Sequence, residues 1–134
     1  NKALDRKNFQ EVSKTEVKLS PERDSTKIRY FQLPPINKDI TTEEMESFYS
    51  LAFETINASH ERTDIKKHPG MHLTNSIDYI VLLKGKVKLI LDSDEISLNP
   101  LDVVIQRGTS HAWSVIGSEP ALLLAVLIDK RFSN

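Results

Sequence analysis

Residues 71–79 read MHLTNSIDY and set a histidine, a threonine and a carboxylate close together: His72, Thr74 and Asp78. Side chains two apart in an extended strand point the same way, so His72 and Thr74 face one cavity, and Asp78 joins them if no bulge intervenes. Further on, the stretch RGTSHAW supplies His111 from a separate strand, with Trp113 sharing its face. Neutral imidazoles at His72 and His111 with the Asp78 carboxylate make a donor set of two nitrogens and one oxygen. With open positions left over, such a set suits non-haem iron(II), and with a bound water it suits catalytic zinc. A divalent metal (iron, zinc, nickel or manganese) is the cofactor these residues would take; no organic cofactor is expected. The same groups without a metal form a hydrogen-bonding pocket able to do simple acid–base chemistry. The sequence leaves both readings open.

Each remaining candidate has a chemical role and a structural one. Asp78 is a candidate general base, its pKa raised by burial, or a partner for Arg107. Tyr79 is a candidate donor to a substrate oxygen, or a core residue with its hydroxyl at the edge. Thr74 and Gln106 are candidate ligand-binding groups, Gln106 being equally suited to closing a strand end. Trp113 is a wall for a flat ligand or a filler of the interior. His68 lies four residues before His72, but Pro69 and Gly70 exclude a helical pairing, so it is read as a surface histidine, as is His60. Ser110 adjoins His111, yet neighbours in a strand point to opposite faces, so no nucleophile triad is formed. No phosphate-binding glycine loop is present in the sequence.

These residues need a scaffold, and 134 residues suffice for one domain with a sizeable core. Eighteen basic residues against nineteen acidic ones, with no long block of either sign, exclude a polyanion-binding face, so nucleic acid is not an expected partner. The absence of cysteine removes disulfides and thiolate metal sites and suits a reducing, cytoplasmic setting. The most apolar run, ALLLAVLI at 121–128, is eight residues long, far short of the ~20 a membrane span needs, and is read as a buried strand. The first ten residues show no apolar targeting core.

Residues 1–26 read as a polar arm, with weak alternation in FQEVSKTEVKL. KIRYFQL at 27–33 reads as a strand at a sheet edge, stopped by Pro34 and Pro35. Thr41 and Glu44 form a capping box, which places a short helix over 42–49. Aromatic and β-branched residues from Ser50 onward place a strand at about 50–58, one continuous helix being the alternative. Beyond Thr74 the pattern is strand and turn: IDYIVLL, apolar on both faces; KVKLILD, with Val87, Leu89 and Leu91 inward and its lysines outward; then ISL, VVIQ, HAWSVI and ALLLAVLID. Closely spaced strands of this kind make an antiparallel sandwich or barrel.

At this point residues 60–129 resemble the small single-domain cupins. The first cupin motif has His, any residue, His, a few residues, Glu, six residues, Gly; the same register here gives His72, Thr74, Asp78 and Gly85. The second motif ends in Gly, two residues, His, matched by Gly108 and His111, while Leu101 stands at the usual glycine of its Pro-Gly-Asp turn. The wording MHxTxxxDY followed by DVVxQRGTxHAW looks like a recurrent subgroup with a reduced first metal motif. The resemblance implies a double-stranded β-helix, a mainly β jelly-roll barrel over 27–134, whose two motifs meet at the barrel mouth. It also implies a homodimer, paired through sheet edges, and a small-molecule function. That function is a metal-dependent enzyme (an oxygenase, isomerase, decarboxylase or lyase) acting on an organic acid, a keto or enol compound or an aromatic metabolite. The alternative is a metal-free sensor or carrier. Fold alone does not choose between them.

Overall fold

A computed structural model describes residues 17–132 of the chain. Its strands are β1 (Thr26–Leu33), β2 (Ser76–Lys84), β3 (Val87–Leu91), β4 (Glu95–Leu98), β5 (Val103–Arg107), β6 (His111–Val115) and β7 (Ala121–Asp129), with one helix, α1 (Thr42–Thr55). They form two antiparallel sheets, one in the order β1-β7-β2-β5 and the other β4-β3-β6. The sheets pack face to face in the jelly-roll arrangement, and neither closes on itself. The core between them joins Ile80, Leu82, Leu123 and Leu127 of the first sheet to Val87, Leu89 and Trp113 of the second.

Alternation decides which side chains enter that space. In β2, Ser76, Asp78, Ile80 and Leu82 are buried on one face, and the register slip between Leu82 and Lys84 falls beyond Asp78, so parity is kept. IDYIVLL is therefore fully covered on its inner face and half-covered on the outer one, where Tyr79 is exposed. Tyr79, Ile105, Val103, Ile28 and Tyr30 stand exposed on the outer face of the four-stranded sheet. The lysine face behaves as read: Lys84 and Lys86 are exposed, and Lys88 pairs with Glu95 at 2.8 Å.

The turns carry the positions that need unusual backbone. Gly85 links β2 to β3 at φ +88°, and a Cβ there would meet the Ala121 Cα at 2.8 Å, so both conformation and space demand glycine. Leu101 adopts φ +75° in the Asn99-Pro100-Leu101-Asp102 turn, with the Asp102 N–H donating to the Asn99 carbonyl at 3.0 Å. Proline followed by a positive φ is the type II pattern, which favours glycine where this chain has leucine.

KIRYFQL forms an edge strand as expected, paired on one side with β7. The strand expected at 50–58 does not exist; the helix runs on to Thr55. The capping box starts it, and Tyr49, Phe53 and Ile56, spaced four and three apart, continue its apolar stripe. Thr55, a residue that argued for a strand, satisfies its hydroxyl by donating to the Leu51 carbonyl at 2.8 Å. Of the polar arm, residues 1–16, including most of the FQEVSKTEVKL stretch, lie outside the described residues. The remainder is tied down: Leu19 is buried against Phe53 and Ala58, and Lys27 donates to the carbonyls of Lys18 and Ser20. No helix among the described residues is long and apolar enough to cross a membrane.

Candidate functional site

The segment carrying His72 lies beside β6 before crossing over to become β2. His72 and His111 exchange two backbone hydrogen bonds, each 2.9 Å, as a directly opposed antiparallel pair. Opposed residues project from the same face, and their rings stand 4.3 Å apart between centroids. The His72 Nδ1 lies 2.9 Å from the Gly70 carbonyl and the His111 Nδ1 2.9 Å from the Thr109 carbonyl. A carbonyl only accepts, so in both rings Nδ1 carries the proton and Nε2 keeps the lone pair. Burial pushes the His72 pKa down to about 3, and the neighbouring His111 ring adds to the effect. Burial also lowers that of His111, so at neutral pH both imidazoles are uncharged. Phe53 of α1 packs on His72, its ring 5.2 Å away, and Trp113 meets His111 edge-on.

The opposite wall belongs to the four-stranded sheet. Asp78 is only 3% exposed. Ser76 donates to the Thr74 hydroxyl at 2.9 Å, and Thr74 donates to Asp78 Oδ2 at 3.3 Å, while Oδ1 is buried with no partner. Burial raises the Asp78 pKa, and the two hydroxyls and His111 pull against it. Between the walls lies a cavity of about 570 Å³, roofed by α1 through Phe48, Tyr49 and Phe53. Its size suits a drug-sized organic molecule, for which pockets run to about 300–1,000 Å³. Tyr49 fastens the roof by donating to the Trp113 carbonyl at 3.3 Å, and burial holds its hydroxyl pKa up at about 12, so it stays protonated.

His72, Thr74, Asp78, His111 and Trp113 thus come together around one space, as their motif positions required. Others do not. Tyr79 is 43% exposed on the outer face, so strand parity takes it away from the catalytic role suggested for it. Gln106 is buried outside the cavity lining and donates to the carbonyl and hydroxyl of Thr109, closing the turn before β6. Arg107 is exposed opposite Ile77 and does not pair with Asp78. His68 is half-buried rather than a surface histidine: its Nδ1 accepts the Gly70 N–H at 3.0 Å and its ring packs edge-on to Tyr49.

The expected metal set is tested by this geometry. The two imidazoles have the orientation of metal-ligating histidines, each with its other nitrogen bonded to a carbonyl. Asp78, however, stands in the facing sheet, held by Thr74. Among the described residues no three His, Asp or Glu side chains form a group able to hold a metal ion. The residues present do not fit a three-ligand centre.

One cavity residue escaped the sequence reading. Arg29 of β1 points inward with Phe31 and Leu33, its guanidinium carbon 5.5 Å from the Phe31 ring centroid. The signal lay in KIRYFQL: at a period of two, Arg29 falls on the same face as Phe31 and Leu33.

No family model matches the chain. The cupin-domain-containing oxidoreductase fogC of Aspergillus ruber is 38% identical over 63 residues, covering 44% of this chain and 31% of that protein. The phomopsin biosynthesis cluster protein C' of Diaporthe leptostromiformis is 54% identical over 44 residues, 32% of this chain and 23% of that one. The matched stretches therefore span less than a third of the length of these relatives. Among solved structures, a cupin-2 domain protein of Shewanella frigidimarina is similar with a TM-score of 0.45 at 7% identity, over 79% of this chain and 72% of that one. The resemblance to the cupins is borne out, in sequence by relatives that carry the cupin name and in architecture by the two facing sheets.

Proposed function

We propose that this cupin-type domain binds a largely apolar organic molecule in the cavity and presents His72 and His111 to it as neutral hydrogen-bond acceptors, without a metal. The observation that carries this reading is the pairing of two Nδ1-protonated imidazoles on the wall of an aromatic-lined cavity. Such rings accept a hydrogen bond through Nε2 from a hydroxyl or an enol of the ligand, and Trp113 and Phe53 offer flat surfaces to its body. The neutral aromatic alcohol 2-naphthol tests it. Binding measured calorimetrically should be unchanged by a chelator and should weaken roughly five- to tenfold when either histidine is replaced by alanine, the worth of one net hydrogen bond. Binding abolished by the chelator, or unaltered in both variants, would contradict it.

A second reading, the metal-dependent enzyme, is favoured by one observation: the carbonyl-bonded Nδ1 atoms, an arrangement metal-ligating histidines share. Metal content by mass spectrometry, in the wild type and in the His72→Ala/His111→Ala double variant, tests it. Homodimerisation is likewise a proposal, supported by the edge of β1, left unpaired among the described residues, and by the exposed Ile28, Tyr30, Val103 and Ile105.

A further inference from the structure

We infer that Arg29 is the anion-recognition group of the cavity and that the molecule bound there is an aromatic or apolar carboxylic acid, its carboxylate on Arg29 and its body toward the two histidines. This rests on the cavity being a ligand site and names the class of ligand.

Arg29 is half-buried, and beyond the Phe31 ring its guanidinium has no hydrogen-bond or ion-pair partner among the described residues. Its Nε is buried without a hydrogen bond, and among the described residues no carboxylate lies within salt-bridge distance of it. Asp78 and Glu61 act on it only through longer-range attraction. An arginine whose Nε is buried without a hydrogen bond carries a desolvation cost, and an anion bound beside it in the cavity offsets that cost. The geometry fits such an anion. Phe31 lies beneath the guanidinium and leaves its N–H donors free at the rim, which suits two parallel bonds to a carboxylate. The cross-strand partner of Arg29 is Ala125, itself part of the lining, and so small a residue keeps the floor beside the guanidinium open. The remaining lining is apolar for most of its extent, with Phe31, Leu33, Phe53, Trp113 and Leu127 ready to cover a ring or a short chain.

Arg29 has a competing role as a distant counter-charge to Asp78, and the experiment separates the two. The probes are 2-naphthoate and 2-naphthamide, alike in shape and different in charge, titrated calorimetrically into the protein at pH 7.5. The expected result is tenfold or greater preference for the acid in the wild type, loss of that preference in Arg29→Met with amide binding retained, and partial preference in Arg29→Lys. Equal binding of acid and amide by the wild type, or a preference surviving in Arg29→Met, would overturn the inference and leave the cavity reading standing. Failure of both probes to bind would overturn the cavity reading and this inference with it. If Arg29→Met does not fold, the wild-type preference and its weakening in Arg29→Lys decide the matter.

Discussion

Acidification should destabilise this fold through His72, and the size of the effect follows from the site. Its imidazole is held neutral in the folded chain, with a pKa of about 3 against 6.5 for the free side chain. As pH falls below 6.5 the unfolded chain takes up a proton that the folded chain refuses. The contribution is therefore intact above pH 6.5 and is lost progressively as pH falls toward 3. At pH 5 the loss from His72 alone is about 2 kcal/mol, each further pH unit adding about 1.4 kcal/mol. His111 on β6 and Arg29 on β1 both oppose a positive charge on this ring, while the Gly70 carbonyl bonded to its Nδ1 favours one and is outweighed by burial. His111 and His68, with pKa values also lowered by burial, add losses in the same direction. The raised pKa of Asp78 works the other way, favouring the folded state as that carboxyl takes up its proton. A variant comparison isolates the His72 share. His72→Gln keeps a donor for the Gly70 carbonyl and cannot titrate. In urea denaturation at pH 7.5 and pH 5.0 the wild type should lose about 2 kcal/mol more than this variant. Equal losses in the two proteins would refute the buried neutral imidazole.

Other consequences follow from the turns and the cap. Leu101→Gly should raise stability by about 0.5–1 kcal/mol, about 2–4 °C in melting temperature, because it relieves a positive φ at an exposed position; an unchanged or lower melting temperature would contradict the type II turn. Gly85→Ala should cost at least about 2 kcal/mol in a denaturant titration, since the added methyl meets the Ala121 backbone. Thr41→Ala, which removes the capping box, should cost about 1 kcal/mol and increase amide exchange in α1 over the cavity.

Much of the scaffold was legible in the sequence because it is written in alternation and turn chemistry. Val87, Leu89 and Leu91 against Lys86 and Lys88 specify which face of β3 is inside, and the motif spacing from Asp78 to Gly85 places the β2–β3 turn. The helix past Ser50 was hidden because its aromatic residues satisfy a strand pattern locally; its length is decided by tertiary burial of Tyr49, Phe53 and Ile56. At the site, the motif spacing pointed to His72, Thr74 and Asp78, which line one cavity although the chain passes from one sheet to the other between them, and parity within β2 puts Tyr79 outside. What no local pattern contains is which sheet each segment joins. That topology sets Asp78 on the wall facing the two histidines and brings Arg29 to the same cavity from another strand.

The central claim is that His72 and His111 line the cavity as neutral rings protonated at Nδ1, each offering Nε2 to a ligand. Long-range proton–nitrogen spectra of the histidine rings at pH 6, before and after addition of 2-naphthol, read this directly. The account predicts two Nδ1-protonated neutral rings whose Nε2 signals move on titration. Nitrogen shifts of charged or Nε2-protonated rings, or Nε2 signals indifferent to the ligand, would contradict it.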